Sequence, residues 1–436
     1  MAADPTAHST AHSTARAAAL PRGRLIRAKD LWDSSGAGRE IGTGAVLDVE
    51  DLGRRLSALV DAGELLRIRR GVYLHASTWL ETPPWDRHLI AAAAVNLLAP
   101  LTHFCRTTAL ALYGVGLLQA PDAVTVRTAR NADTGLHPAP LLTGRASAAA
   151  IERLLRVHSE AHDGGPRSPA ALRAIGTRHH QYPRAFRERL REGLGEEWRP
   201  GYEQALLRLP FPALGRFDAQ TPAGRGFCVE PLGLVLADTV PRLNFADAVA
   251  VLDAFKSGRL GERRHPAGTL SAVEPWLRLV TSARGRTRWD AAWNFADEGA
   301  ESVGESWARV RIAELGFAAP VLQRMFLLRN GRSCMTDFFW EGPGVVGEFD
   351  GLMKYRTSRA LSGQGAEEVV IAEKEREDGL RALGLSVVRF TWADLQDPAR
   401  LRQLLSAAGV PLSQRFTGAD AFYPGDHWAG RPRKGR

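Results

Sequence analysis

Residues 336–355 read Thr336-Asp-Phe-Phe-Trp-Glu-Gly-Pro-Gly-Val-Val-Gly-Glu-Phe-Asp-Gly-Leu-Met-Lys354-Tyr355. Two apolar runs flank a Gly342-Pro343-Gly344 turn, and each carries acidic residues where burial alone would not place them. Asp337 opens the first run; Glu348 and Asp350 stand on either side of Phe349 in the second. Alternate residues of a strand share a face. Glu348 and Asp350 are therefore expected to point one way and Phe349 into the opposite layer. The turn lays the two strands side by side and brings Asp337 close. Three carboxylates on one sheet face repel one another unless a cation sits among them, which outlines a site for a hard ion such as Mg2+ or Mn2+. The bland alternative is an edge strand that turns the same carboxylates to solvent.

Outward from this stretch, the pattern predicts a helix over 302–316 and a strand over 321–329 closed by the hairpin signal Asn330-Gly331. Strands over 335–341 and 345–350 follow, then a charged helix over 366–383 stopped by Gly384. A strand over 385–391 and a helix over 393–408 complete the unit. The order α-β-β-β-α-β-α implies a mixed sheet with helices on its faces. Ser302-x-x-Glu305 is also the text of a capping box, so Glu305 has a capping reading beside any site role. Lys374 lies in Glu373-Lys-Glu-Arg-Glu-Asp378, a charge run of the kind that usually forms a solvated face. Arg376, half a turn away, is expected to be at most a peripheral phosphate contact.

Residues 301–409 resemble the PD-(D/E)XK nuclease superfamily, in its very-short-patch-repair-like branch. The resemblance is carried by Gly304-Glu-Ser-Trp-Ala-Arg309, the Asp337 strand, Gly347-Glu-Phe-Asp-Gly351 with Lys354-Tyr355, Glu373-Lys-Glu-Arg376 and Val387-Val-Arg-Phe-Thr-Trp392. It implies a metal-dependent DNA endonuclease in which Asp337, Glu348 and Asp350 hold Mg2+ or Mn2+ and Glu305 assists from the first helix. Asp350 stands where better-known members carry the lysine that orients the attacking water, so Lys354 or Lys374 would supply the ammonium. Hydrolysis of a phosphodiester needs an activated water and neutralisation of the extra charge on phosphorus, which carboxylate-held metal and a nearby cation provide.

At the other end, Asp48 or Asp51 can cap a helix with Leu52, Leu56, Leu59 and Val60 at helical spacing, closed by Gly63. Glu64-Leu-Leu-Arg-Ile-Arg-Arg-Gly-Val-Tyr-Leu74 then reads as two short strands around an Arg-Arg-Gly turn. A helix, a glycine stop and a basic hairpin are the parts of a winged helix. Arg54 and Arg55 on the helix and Arg67, Arg69 and Arg70 on the wing suit DNA phosphate contacts, which position a protein without reading bases. The stretch 63–73 resembles the winged helix of AbiEi-type antitoxins of type IV toxin–antitoxin systems. That likeness implies promoter binding and a cognate toxin protein as partner.

The chain has 436 residues, 44% apolar and 24% charged, which is too long for one ordinary domain and typical of a globular protein. It divides on the sequence into a disordered leader (1–22), the winged helix (23–80), a middle α/β region without an assigned role (81–300), the nuclease-like domain (301–412) and a tail (413–436). The fold class is thus multi-domain α/β. A strand is expected over 227–236, a short amphipathic helix over 245–255, and a linker at Thr82-Pro-Pro-Trp85. The net charge of +9 suits a polyanionic partner, although arginine predominates throughout and only five of the 57 basic residues are lysine. No apolar stretch approaches the ~18 residues of a membrane span. Cys105, Cys228 and Cys334 form no Cys-x-x-Cys pair, and a reducing cytoplasm fits. Two functions follow as expectations: a DNA endonuclease targeted by a winged helix, or a non-catalytic transcriptional regulator or antitoxin on the same scaffold.

Overall fold

The computed structural model describes residues 23–28, 49–145, 147–160, 169–183, 206–210, 226–261, 263–264, 266–351, 365–413 and 422. Asp48, Lys354, the leader 1–22 and nearly all of the tail 413–436 lie outside the described residues. Two compact units emerge, one of residues 1–113 with 119–235 and one of 114–118 with 236–436. The stretch 81–300, expected to form one middle region, is divided between them.

The first unit opens with strand β1 (Ile26–Arg27), helix α1 (Val49–Asp61) and the hairpin β2 (Leu65–Arg69) and β3 (Val72–His75). These strands form an antiparallel sheet in the order β1-β3-β2. Helix α1 forms because Leu52, Leu56 and Val60 recur on one face, and they pack with Ile26, Leu65 and Tyr73. Gly63 ends the helix at φ 79°, a left-handed conformation that only glycine adopts freely. The Glu64 N–H then donates back to the Leu59 carbonyl at 3.0 Å, the Schellman closure that satisfies a terminal carbonyl.

Helices α2 (Ala76–Glu81) and α3 (Pro84–Leu98) follow directly. The expected linker at 82–85 is therefore short: Pro84 lies in the first turn of α3, where its missing N–H costs nothing. Strand β4 (His103–Phe104), helix α4 (Arg106–Leu112), strands β5 (Ala123–Thr128) and β6 (Gly135–His137), helix α5 (Ala148–Glu160) and strands β7 (Gly176–Gln181), β8 (Leu207–Leu209) and β9 (Phe227–Val229) complete the unit. The strands form a mixed six-stranded sheet in the order β6-β7-β5-β4-β9-β8. Inside it, the Arg127 guanidinium grips both oxygens of the fully buried Glu230, at 2.7 and 3.0 Å, and donates to the Gln181 carbonyl at 2.9 Å. The strand expected over 227–236 stops at Val229. Pro231 breaks the run, and Leu232–Thr239 forms helix α6. A continuous apolar stretch without periodicity does not distinguish strand from buried helix.

In the second unit, helix α7 (Phe245–Ser257) is surrounded rather than amphipathic, with every residue buried except Ala254, Lys256 and Ser257. Strands β10 (Arg259–Leu260) and β11 (Arg263–Arg264) and helices α8 (Leu270–Leu277), α9 (Ala283–Phe295) and α10 (Val303–Glu314) follow, and α7 packs against α9 and α10. The polar residues of α7 are matched: Asp253 accepts from Arg309 Nη1 at 2.8 Å and from the Asp297 N–H at 2.7 Å.

Strands β12 (Val321–Leu327), β13 (Ser333–Trp340) and β14 (Val345–Asp350), helix α11 (Gly365–Ala382), strand β15 (Ser386–Thr391) and helices α12 (Trp392–Gln396) and α13 (Pro398–Ala407) reproduce the expected order, with the last helix split at Asp397-Pro398. The sheet runs β12-β13-β14-β15. The first two pairings are antiparallel, and β15 lies parallel to β14 after the α11 crossover. Phe338, Trp340, Val345 and Phe390 join Ala308 and Ile312 of α10 and Leu401 and Leu405 of α13 in one core. Phe339 and Val346 meet Leu380 of α11 in a second.

One glycine sets how closely α10 approaches the sheet. A Cβ at Gly304 would lie 2.0 Å from Phe349 Cε1 and 2.5 Å from its Cζ. The Phe349 ring is itself wedged against Phe390 and Trp392. Gly304→Ala is expected to destabilise the second unit by about 1–3 kcal/mol, the usual effect of overpacking, as read by thermal denaturation. Phe349 stands between Glu348 and Asp350 in the strand and its N–H anchors Asp337, so a displaced ring that shifts this stretch of β14 also disturbs the acidic face.

Candidate functional site

The acidic face is built by the β13–β14 hairpin. Trp340, Phe339 and Phe338 pair with Val345, Val346 and Gly347, and the next step of this register sets Asp337 opposite Glu348. Asp337 Oδ2 accepts the Phe349 backbone N–H at 2.8 Å, which fixes the carboxylate across the strand pair. Glu348 is buried and Asp337 half-buried.

Glu305 comes from the first turn of α10. Ser302 caps the helix by accepting the Glu305 N–H at 3.2 Å, and its hydroxyl donates to Glu305 Oε1 at 2.8 Å. Oε2 accepts the Glu301 N–H at 2.8 Å. The capping reading and the site reading thus fall on one side chain, because the capped carboxylate also feels Asp337. Burial first, and the Asp337 charge second, push Glu305 up to about 7. Burial likewise pushes Glu348 up to about 7, Asp337 adding to the rise while a bond from Arg376 opposes it.

Asp350 stands apart from this group. Two residues along a strand separate side chains by about 7 Å, and the parallel strand β15 presents Arg389, whose Nη1 lies 3.7 Å from Asp350 Oδ2. Arg389 also binds Glu373 and Glu377. Among the described residues, no group of three or more His, Cys, Asp or Glu side chains is arranged to hold a metal ion. The expected ligand trio of Asp337, Glu348 and Asp350 is therefore not assembled; Asp337 lies opposite Glu348 across the strand pair, and Glu305 feels its charge.

Two residues near the site were not legible as such. Gln323, on β12 across from Asp337, adopts φ 50° and donates from Nε2 to Glu305 Oε2 at 3.4 Å. Nothing in the sequence marks it. Arg376, expected at the periphery, reaches Glu348 itself, and its spacing from Glu373 was the available signal. Lys374 is exposed, and Lys354 lies outside the described residues.

In the first unit, α1 and the β2–β3 hairpin enclose a groove of about 800 Å3 lined by Gly53, Arg54, Ser57, Ala58, Asp61, Arg67, Arg70, Gly71 and Tyr73. The Arg67 guanidinium lies over the Tyr73 ring at 5.9 Å. Arg55 is half-buried and is not among the lining residues. Arg69 turns inward: it is buried, donates to the Ile68 carbonyl at 2.8 Å and is lowered by burial to about 10. A bulge between Arg67 and Arg69 explains this, since it breaks the alternation of faces along β2.

His103 bonds through Nδ1 to Tyr182 Oη at 2.9 Å. The three cysteines are buried thiols outside any disulfide. Among the described residues, no helix is long and apolar enough to cross a membrane. No family model matches the chain, and no curated protein matches it.

Proposed function

We propose that the chain is a metal-dependent DNA endonuclease, cleaving or nicking, that works in the cytoplasm and is targeted by an N-terminal winged helix. The observation that carries this reading is that Asp337, set opposite Glu348 by the register of the hairpin, raises the hold of both Glu348 and Glu305 on their protons, although the three come from separate segments. Carboxylates so arranged are held against their mutual repulsion, which suits a site for positive charge.

The donor set fits Mg2+ or Mn2+ in a limited sense. Mg2+ is commonly bound by one or two carboxylates plus substrate phosphate and water. Asp337 and Glu348 can supply those two, with Glu305 alongside; an all-protein cage is not present among the described residues. Bound there, the ion would lower the pKa of its water and neutralise charge on the phosphate. The chain's own part is orientation: the Phe349 N–H holds Asp337, and Ser302 and the Glu301 N–H hold Glu305. The α-β-β-β-α-β order of the second unit supports the nuclease-like reading.

Strand β1, helix α1 and the hairpin, sheeted as β1-β3-β2, support the winged-helix reading, and Arg54, Arg67 and Arg70 beside the groove suit DNA phosphates. Arg67→Ala and Arg70→Ala are each expected to weaken DNA binding about equally across sequences and to reduce the salt slope by about 1. Fluorescence anisotropy at several salt concentrations reads both effects.

The direct test is incubation of plasmid DNA with the protein and Mg2+ or Mn2+. Cleavage that disappears in Asp337→Asn and Glu348→Gln supports the enzyme. A second reading, a non-catalytic regulator or antitoxin with a toxin protein as partner, is favoured by the arginine that already occupies Glu348. It predicts a shifted promoter fragment, intact DNA with either metal, and unchanged binding in the two variants.

A further inference from the structure

The acidic site carries its own cation. Arg376 projects from α11 and donates from Nη1 to Glu348 Oε1 at 3.0 Å and to the Met335 carbonyl at 3.2 Å. Its Nε and Nη2 grip the two oxygens of Glu373 at 3.0 and 2.8 Å. Glu348 is nearly dry, and a dry carboxylate is stable only when a proton or cation accompanies it. A guanidinium suits that place, since it stays charged and its planar fork matches a carboxylate. Lys374 does not substitute for it: two residues further back on an α-helix is about 200° around the axis, and Lys374 is exposed.

We propose that Arg376 is the built-in counter-ion of this site, holding Glu348 while no divalent ion is bound and competing with that ion for the Glu348 carboxylate. The proposal rests on the metal-dependent reading above. A guanidinium and a divalent ion on one carboxylate repel each other, so loading the site loosens the Arg376–Glu348 bond. The two bonds to Glu373 keep the arginine tethered as it yields. Arg376 is in this sense a positioning residue: it sets the shape of the empty site and the affinity of the loaded one.

The test is a Mn2+ titration of the full-length protein after removal of divalent ions, with free Mn2+ followed by electron paramagnetic resonance. Arg376→Met is expected to bind Mn2+ about tenfold more tightly than the wild type, because a cation within ~4–6 Å changes a carboxylate's hold on another cation by at least that factor. Arg376→Lys keeps the charge without the fork and is expected to fall between the two. In EDTA, Arg376→Met should melt below the wild type, and Mn2+ should raise its Tm by more than it raises the wild type's. Adding Glu348→Gln to Arg376→Met should remove the gain in affinity.

A merely structural arginine would lower the Tm and leave the affinity for Mn2+ unchanged or weaker; that result, with wild-type binding intact, overturns the proposal and leaves the endonuclease reading standing. Tight binding that survives Glu348→Gln overturns it as well. Absence of Mn2+ binding in the wild type and both single variants overturns the proposal and the metal-dependent reading together. Should Arg376→Met not fold, the comparison rests on Arg376→Lys, where an affinity equal to the wild type's is the overturning result.

Discussion

Asp337→Asn is expected to abolish metal-dependent cleavage and, at the same time, to stabilise the metal-free protein above pH 7. Asparagine keeps an oxygen to accept the Phe349 N–H, so the strand pair stays anchored. It removes the charge that Glu305 and Glu348 both face. Each of these acids binds its proton up to about pH 7 in the folded protein, against an ordinary 4.5. The folded state thus holds more protons than the unfolded state between these values, and stability falls as pH rises through that window. Above pH 7 the whole penalty is present. Relief of one pKa unit is worth about 1.4 kcal/mol, so a gain on the order of 1 kcal/mol at pH 8 is expected, fading toward pH 5. On the proposed reading of Asp337 as a metal ligand, worth several kcal/mol of charge stabilisation, cleavage should drop roughly a hundredfold or more. Denaturant melts in EDTA at pH 5 and pH 8, beside a plasmid assay, read both effects. A variant less stable than the wild type at pH 8 would show that the Asp337 charge is not a net repulsion in the folded protein.

Arg127→Met should have the largest effect on folding. Its guanidinium is almost completely buried against Glu230, which is buried entirely. Removal of one partner of a buried pair leaves the other as a dehydrated charge, a loss of about 3–5 kcal/mol. Replacement of both by apolar groups of similar volume is often neutral or better. Arg127→Met/Glu230→Leu should therefore recover much of what the single variant loses. A double-mutant cycle by urea denaturation checks this, and additive losses would show that the two side chains are held separately by their other contacts.

The hairpin at the acidic site was legible because local signals agree: Gly342-Pro343-Gly344 forces the turn, and the alternation of Val345-Val-Gly-Glu-Phe-Asp350 fixes which side chains share a face. Glu305 was legible through its cap. Asp350 was misplaced because its partner is set by the parallel strand β15, whose position beside β14 depends on the α11 crossover and not on any local pattern. The reach of Arg376 to Glu348 is tertiary in the same way. On the wing, the run Arg67-Ile-Arg-Arg70 predicts a row of outward cations, but a single bulge changes which of them faces inward, and no residue in that run announces it.

The bonds between Ser302 and Glu305 have one more implication. Since this carboxylate also ties down the opening turn of α10, a related chain without any chemistry would still gain from keeping it. Its presence in a related sequence is thus a poor sign of a working enzyme. Asp337, which repels its acidic neighbours when no ion is bound, is the residue whose loss would be favoured first, and its survival is the better mark of activity.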